Sequence, residues 1–186
     1  MKKQFLTLAL ALTAATATSG ALAATQYLAL AVNRNSIDTN SNHFTISTDA
    51  DTLEGIYGLE YNEFFAAEAR LGLGINKGKR HLDGQEEALD LGEIKIGSMY
   101  ALYAKPQFNS GAFKAFALLG YAGYNSEWSF RDEDYYASSN TAYKGISYGL
   151  GAGWSFGQHV INIEWHRTKS KDTTIDSTAV SCQFNF

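Results

Sequence analysis

Proline occurs once in the 186 residues, at Pro106, and cysteine once, at Cys182. A lone cysteine excludes an intrachain disulfide and any cysteine-built metal site. On the apolar face of a strand, Cys182 reads as a small buried hydrophobe. Long apolar runs are also missing. No stretch after the N-terminus approaches the roughly 20 consecutive apolar residues that a spanning helix needs. Basic charge is in deficit, with 15 Lys+Arg against 19 Asp+Glu and a net charge of −4. Nucleic-acid binding calls for a basic footprint and is excluded. Helical periodicity is hard to find anywhere.

What is present begins with the N-terminus. "MKKQFLTLALALTAATATSGALA" places Lys2 and Lys3 before an apolar core at Phe5–Leu12 and ends on the small-residue pattern Ala21-Leu22-Ala23. This is the layout of a secretory signal peptide, and its core is too short to span a bilayer. Residues 1–23 are therefore expected to be cleaved, leaving 24–186 as one domain. Removing Lys2 and Lys3 takes the net charge to −6.

Alternation with period two runs through most of the remainder, as strands require. "TLEGIYGLEYN" sets Leu53, Gly55, Tyr57, Leu59 and Tyr61 against Glu54, Ile56, Gly58 and Glu60. "FAAEARLGLGIN" sets Phe65, Ala67, Ala69, Leu71 and Leu73 against Glu68, Arg70 and Gly72. "EIKIGSMYALYAK" sets Ile94, Ile96, Ser98, Tyr100 and Leu102 against Glu93, Lys95, Gly97 and Met99. "ISYGLGAGWSF" and "VINIEWHR" behave alike, the second with Glu164 and His166 on its polar face. In "FKAFALLGYAGY", Phe116 and Leu118 compete with Phe113, Leu119 and Tyr121 for the apolar face, and the register stays open. With "QYLALAVN" and the closing "AVSCQFNF", eight strands result.

Links between them alternate in length. Arg34–Asp51, "NKGKRHLDGQEEALD", "NSEWSFRDEDYYASSNTAY" and "TKSKDTTID" are the longer ones. The turns around Asn62-Glu63, "KPQFNSG" and "GQH" are short. This is the layout of a transmembrane barrel with short periplasmic turns and longer outside loops. The expected fold is all-β, an eight-stranded antiparallel up-and-down transmembrane β-barrel in the outer membrane, with both termini periplasmic.

A soluble carrier would give the same period with its faces reversed. Three features favour lipid outside. Glu54, Glu60, Glu68, Glu93 and Glu164 stand with Arg70, Lys95 and His166 on faces rich in glycine, which suits a packed polar lumen. Aromatic residues gather near strand ends, as in interfacial girdles. Each segment also matches the 9–11 residues of a tilted spanning strand.

These residues resemble the small eight-stranded outer-membrane barrels of the OmpX and OmpA transmembrane-domain type. "ISYGLGAGWSF" is similar to that family's penultimate-hairpin strand and "VINIEW" to its seventh. Val180, Cys182, Phe184 and Phe186 resemble its C-terminal signal, read by the outer-membrane assembly machinery. The resemblance implies a non-enzymatic surface protein in contact with outer-membrane lipid and lipopolysaccharide, monomeric, its loops meeting a receptor or partner. It also implies one enzymatic alternative, since some such barrels are lipid A deacylases with a His-x-Ser pair. Here that pair would be His166 and Thr168, followed by Ser170. No cofactor is expected. "GLGAG" lacks the spacing of a nucleotide loop. Asp132, Glu133 and Asp134 do not fit a calcium loop, and His43, His81 and His159 are too scattered for a metal site.

Overall fold

In the computed structural model, the described residues are 24–41, 44–82, 93–132 and 135–186. They form strands β1 (Thr25–Ser41), β2 (Phe44–Asn62), β3 (Phe65–Gly74), β4 (Lys77–Leu82) and β5 (Glu93–Ser110), followed by β6 (Phe113–Asp132), β7 (Tyr135–Phe156), β8 (His159–Ser170) and β9 (Thr173–Asn185). β3 and β4 share one place in the wall, between β2 and β5, so the sheet has eight positions. β1 pairs with both β2 and β9, which closes the barrel, and every pairing is antiparallel. Closure removes the sheet edges that hydrocarbon could not tolerate. No described helix is long and apolar enough to cross a membrane.

Both termini lie at one end of the barrel, where the Phe186 amide donates to the Gln26 carbonyl at 3.0 Å. The turns there are tight. Gly111 and Gly157 reach φ of 61° and 64°, a left-handed conformation that residues with a Cβ rarely adopt. Toward the opposite, far end, the strands run on beyond the length expected of them. The polar runs read as loops, Arg34–Asp51 and Ser126–Tyr143, are instead largely paired ladder, with β1–β2 in register to Ser41↔Phe44 and β6–β7 to Asp132↔Tyr135.

The cause is an exchange of faces along the wall. In the terminal two-thirds, apolar side chains point outward: Ile146 is 70% exposed and Leu102 66%, whereas Arg70, inside, is 1% exposed. Farther along, the outward positions become Arg34, Asp49, Asp51, Arg167 and Asp176, while Ile37, Ala50, Ile94, Ile96 and Ile175 are buried inward. Strand pairing satisfies the backbone on either side of this boundary, so the ladder continues while the solvent outside changes. Outward aromatics mark the two borders of the apolar band. Tyr61, Phe64, Phe108, Phe113, Trp154 and Phe186 lie toward the terminal end, and Tyr100, Tyr121 and Trp165 toward the far end.

One expectation fails at a bulge. The β5–β6 register shifts between Ile96 and Ser98, so Ile94 and Ile96 point inward while Met99, Ala101 and Tyr103 continue that face. The extra residue reverses the parity. Lys95, expected inside, therefore stands on the outer face and is only half-buried. The strand whose register was open is resolved: Phe116 and Leu118 are inward, and Phe113, Leu119 and Tyr121 outward.

Candidate functional site

Period-two alternation sends Tyr27 of β1, Glu68 and Arg70 of β3, Lys105 of β5 and Glu164 of β8 into one level of the lumen. Arg70 joins both carboxylates. Its Nε donates to Glu68 Oε2 at 2.9 Å, one terminal nitrogen donates to Glu164 Oε2 at 3.1 Å, and the other reaches Glu164 Oε1. Lys105 Nζ donates to Glu68 Oε1 at 2.7 Å, and the Tyr27 hydroxyl donates to the same oxygen. Aromatic faces support the cations, with Lys105 Nζ 4.2 Å from the Phe116 ring centre and the Arg70 guanidinium 4.9 Å from that of Tyr103. Four strands are thus fastened across the lumen by fully desolvated, hydrogen-bonded charges, the condition under which buried ion pairs persist.

Glycines make the room. A Cβ on Gly58 would lie 1.9 Å from the Tyr27 ring, and one on Gly151 would lie 2.3 Å from Phe116. Nearer the termini, Lys114 Nζ pairs with Glu60, and Asn162 donates to Ser181 at 3.2 Å. Toward the far end, Thr168 donates to Ser147 Oγ at 2.9 Å, which also lies 2.7 Å from the Tyr103 hydroxyl. Glu54 is buried on the same inner face, one step beyond Arg70.

Of the residues expected in the lumen, the structure brings Glu68, Arg70 and Glu164 into direct contact. Glu60 is separate, on Lys114, and Glu54 accepts from Thr52 at 3.4 Å, with Asn33 beside it. Lys95 is outside, and for Glu93 only the strand position is described. Sequence reasoning missed Tyr27, Lys105 and Lys114. All three follow from parity: Leu28, Leu30 and Val32 facing outward leave Tyr27 inward, and Tyr103 inward carries Lys105 with it.

His166 is fully buried in the lumen, with neither ring nitrogen hydrogen-bonded among the described residues and Nδ1 3.7 Å from Glu164 Oε1. Thr168 gives its proton to Ser147, and Ser170 accepts from the Lys144 amide. The geometry forms no nucleophile–base pair among these residues. Cys182 corrects a second expectation. It is exposed, because the apolar face of β9 looks outward, where it lies between Leu30 and Ile161. Val180, Phe184 and Phe186 share that face. Asp132 lies at the tip of β6, while Glu133 and Asp134 fall outside the described residues, as does His43. Among the described residues, no group of three or more His, Cys, Asp or Glu could hold a metal ion.

A closed wall, a charged packed lumen and an outward apolar band between aromatic borders are the features of an outer-membrane barrel. The family model described as "Outer membrane protein beta-barrel domain" matches residues 5–186. The chain belongs to this family. Among solved structures, Ail of Yersinia pestis shares 16% identity, with 88% of this chain and 99% of that chain covered and a TM-score of 0.57. Neisserial surface protein A shares 9%, with 87% and 97% covered and a TM-score of 0.63. OprG of Pseudomonas aeruginosa shares 11%, with 88% and 96% covered and a TM-score of 0.60. At these identities the likeness is one of fold. No curated protein matched. As a family member, the protein is placed in the outer membrane, which disposes of the soluble carrier with reversed faces.

Proposed function

We propose that this outer-membrane barrel is a non-enzymatic surface-interaction protein whose fastened lumen makes it a rigid stalk for the β6–β7 hairpin. Residues 1–23 direct export, and Val180, Cys182, Phe184 and Phe186 serve the assembly machinery. A single copy sits in the lipid and lipopolysaccharide of the membrane, its far end outward.

The observation that carries this reading is a free sheet edge. β7 pairs with β6 along its whole length but with β8 only from Ile146 onward. Among the described residues, Tyr135–Gly145 therefore presents unpaired backbone groups on its β8 side, apart from the Lys144 amide held by Ser170. Exposed edges are usually blunted by lysine, proline or a bulge. Here Ser138-Ser139-Asn140-Thr141-Ala142 is exposed and carries none of these. At the foot of the edge stand Lys144, Lys169 and Lys171, all exposed, beside Asp172. An extended or anionic surface partner fits this combination. Ail, a protein of the same fold, was solved with the heparin analogue sucrose octasulfate, which makes a sulfated polysaccharide the first probe.

The test replaces residues 127–140 by an Asn-Gly turn joining Ser126 to Thr141, which face one another in the ladder. Cells displaying the shortened protein should lose binding to immobilised heparin and to host cell surfaces, while the barrel keeps its heat-modifiable gel mobility. Unchanged binding would refute the role of the hairpin.

A further inference from the structure

One step beyond the Arg70 clamp, a set of luminal polar atoms lacks partners. Glu54 is fully buried. Its Oε1 accepts from the Thr52 hydroxyl at 3.4 Å, and its Oε2 has no hydrogen bond among the described residues. Asn33, also fully buried, stands beside the Glu54 carboxylate, and among the described residues neither its amide oxygen nor its amide nitrogen makes a well-formed hydrogen bond. Asn33 lies directly across from Thr52 in the β1–β2 ladder, and Thr52 is two residues from Glu54 on the same face, so the unpartnered groups converge.

The cations nearby are committed elsewhere: Arg70 to Glu68 and Glu164, Lys105 to Glu68, and Lys114 to Glu60. Arg70 also lies within electrostatic reach of Glu54, so among the described residues Glu54, Glu68 and Glu164 share Arg70 and Lys105, and one negative charge is left in excess. A desolvated carboxylate without its own counter-charge is unfavourable. The level is enclosed by the Arg70 clamp on one side and by Ile37, Ile96 and Ile175 on the other. A multivalent ion would demand several carboxylates or imidazoles, and the described residues offer no such group. One carboxylate oxygen beside neutral amide and hydroxyl oxygens provides a single negative charge and oxygen donors only.

We propose that Glu54 Oε2 and the amide oxygen of Asn33 bind a monovalent cation of sodium or potassium size, enclosed in the lumen. Because isoleucines close the far side, the ion enters while the barrel closes, and it then contributes to the folded state alone. A species bound only by the native form raises the unfolding midpoint in proportion to its saturation.

The experiment takes the protein purified from outer membranes, unfolds it in urea, and refolds it into detergent micelles at pH 8. Sodium, potassium or N-methylglucamine chloride is supplied at equal ionic strength, and thermal midpoints are read by gel mobility. Sodium or potassium should raise the midpoint by about 2–4 °C over the bulky cation, and the difference should vanish in Glu54→Gln. Equal midpoints in all three salts would overturn the proposal, as would a cation dependence that survives in Glu54→Gln. If that variant does not refold, crystals of the wild type grown with thallium(I) decide. An anomalous peak beside Glu54 supports the site, and none there overturns it. These readouts do not involve the β6–β7 hairpin, so they stand apart from the surface-interaction reading.

Discussion

Arg70 carries two carboxylates on one guanidinium, in a place where water cannot replace either contact. Removing it leaves Glu68 with Lys105 and leaves Glu164 with no described cationic partner except a neighbouring imidazole. Breaking a buried pair by deleting one partner typically costs about 3–5 kcal/mol. Arg70→Ala should therefore lower folding stability by that order, seen as a fall in the urea midpoint in detergent micelles. A loss below about 1 kcal/mol would mean that the lumen is wetter than its packing indicates. Glu68, Arg70 and Glu164 were legible in the sequence because each stands on the polar face of a clean alternation. Tyr27 and Lys105 were not noticed because one looks like part of an apolar run and the other like the start of a turn. Their meeting on Glu68 could not be read at all, since Glu68 is 41 positions from Tyr27 and 37 from Lys105 and joins them only when the wall curves round.

At the level of the strand, the informative places are those where alternation is interrupted. Ile94, Ile96, Tyr100 and Leu102 all occupy even positions, so the sequence reads as one unbroken face. The bulge at Gly97 divides it into an inward pair and an outward pair. Nothing in hydrophobic pattern alone marks such an inserted residue. The same level of the wall contains the break between β3 and β4, where Asn76 bonds both the backbone amide and the carboxylate of Asp51. Backbones approach closely there, and a Cβ on Gly74 would lie 1.9 Å from the Ile96 carbonyl oxygen. Gly55, on the outer face, has its nearest such contact at 3.9 Å. Gly74→Ala should thus cost about 1–3 kcal/mol through forced backbone shifts, whereas Gly55→Ala should be close to neutral. Paired urea titrations would show the contrast, and equal effects would contradict the close approach. The long polar hairpins were read as loops for a related reason. A ladder standing in water keeps its period but exchanges the meaning of its faces, and polarity was taken for absence of structure.

For the molecule as a whole, the natural single cysteine is a built-in reporter. Cys182 points outward between Leu30 and Ile161, in the middle of the apolar band. In intact outer membranes it should resist a charged maleimide yet react with a membrane-permeant one. Both reagents should label it fully after denaturation in dodecyl sulfate. Rapid labelling by the charged reagent in the folded state would place β9 against water and overturn the assignment of faces. The fold class, strand count and sense of the wall could all be anticipated, because each is a property repeated in every strand. The ion-paired lumen was only partly legible, because it depends on which strands become neighbours and on one inserted residue.

The exchange of faces has a mechanical consequence. Sliding the barrel toward the periplasm would pull Arg34, Asp51, Arg167 and Asp176 into hydrocarbon, where the cost of a lipid-facing Arg rises with depth to about 2–4 kcal/mol at the midplane. Sliding it the other way would lift the apolar band into water. The protein therefore has a waterline, drawn across the neighbouring strands β8, β9, β1 and β2 by their outward charges. Above that line, β7 continues from Ile146 to Tyr135, roughly 35 Å of strand at about 3.3 Å per residue. The draught of the vessel is fixed by chemistry at the waterline, and the height of its mast by the length of one hairpin. Lengthening or trimming that hairpin changes how far out a partner is met without altering how deep the hull sits.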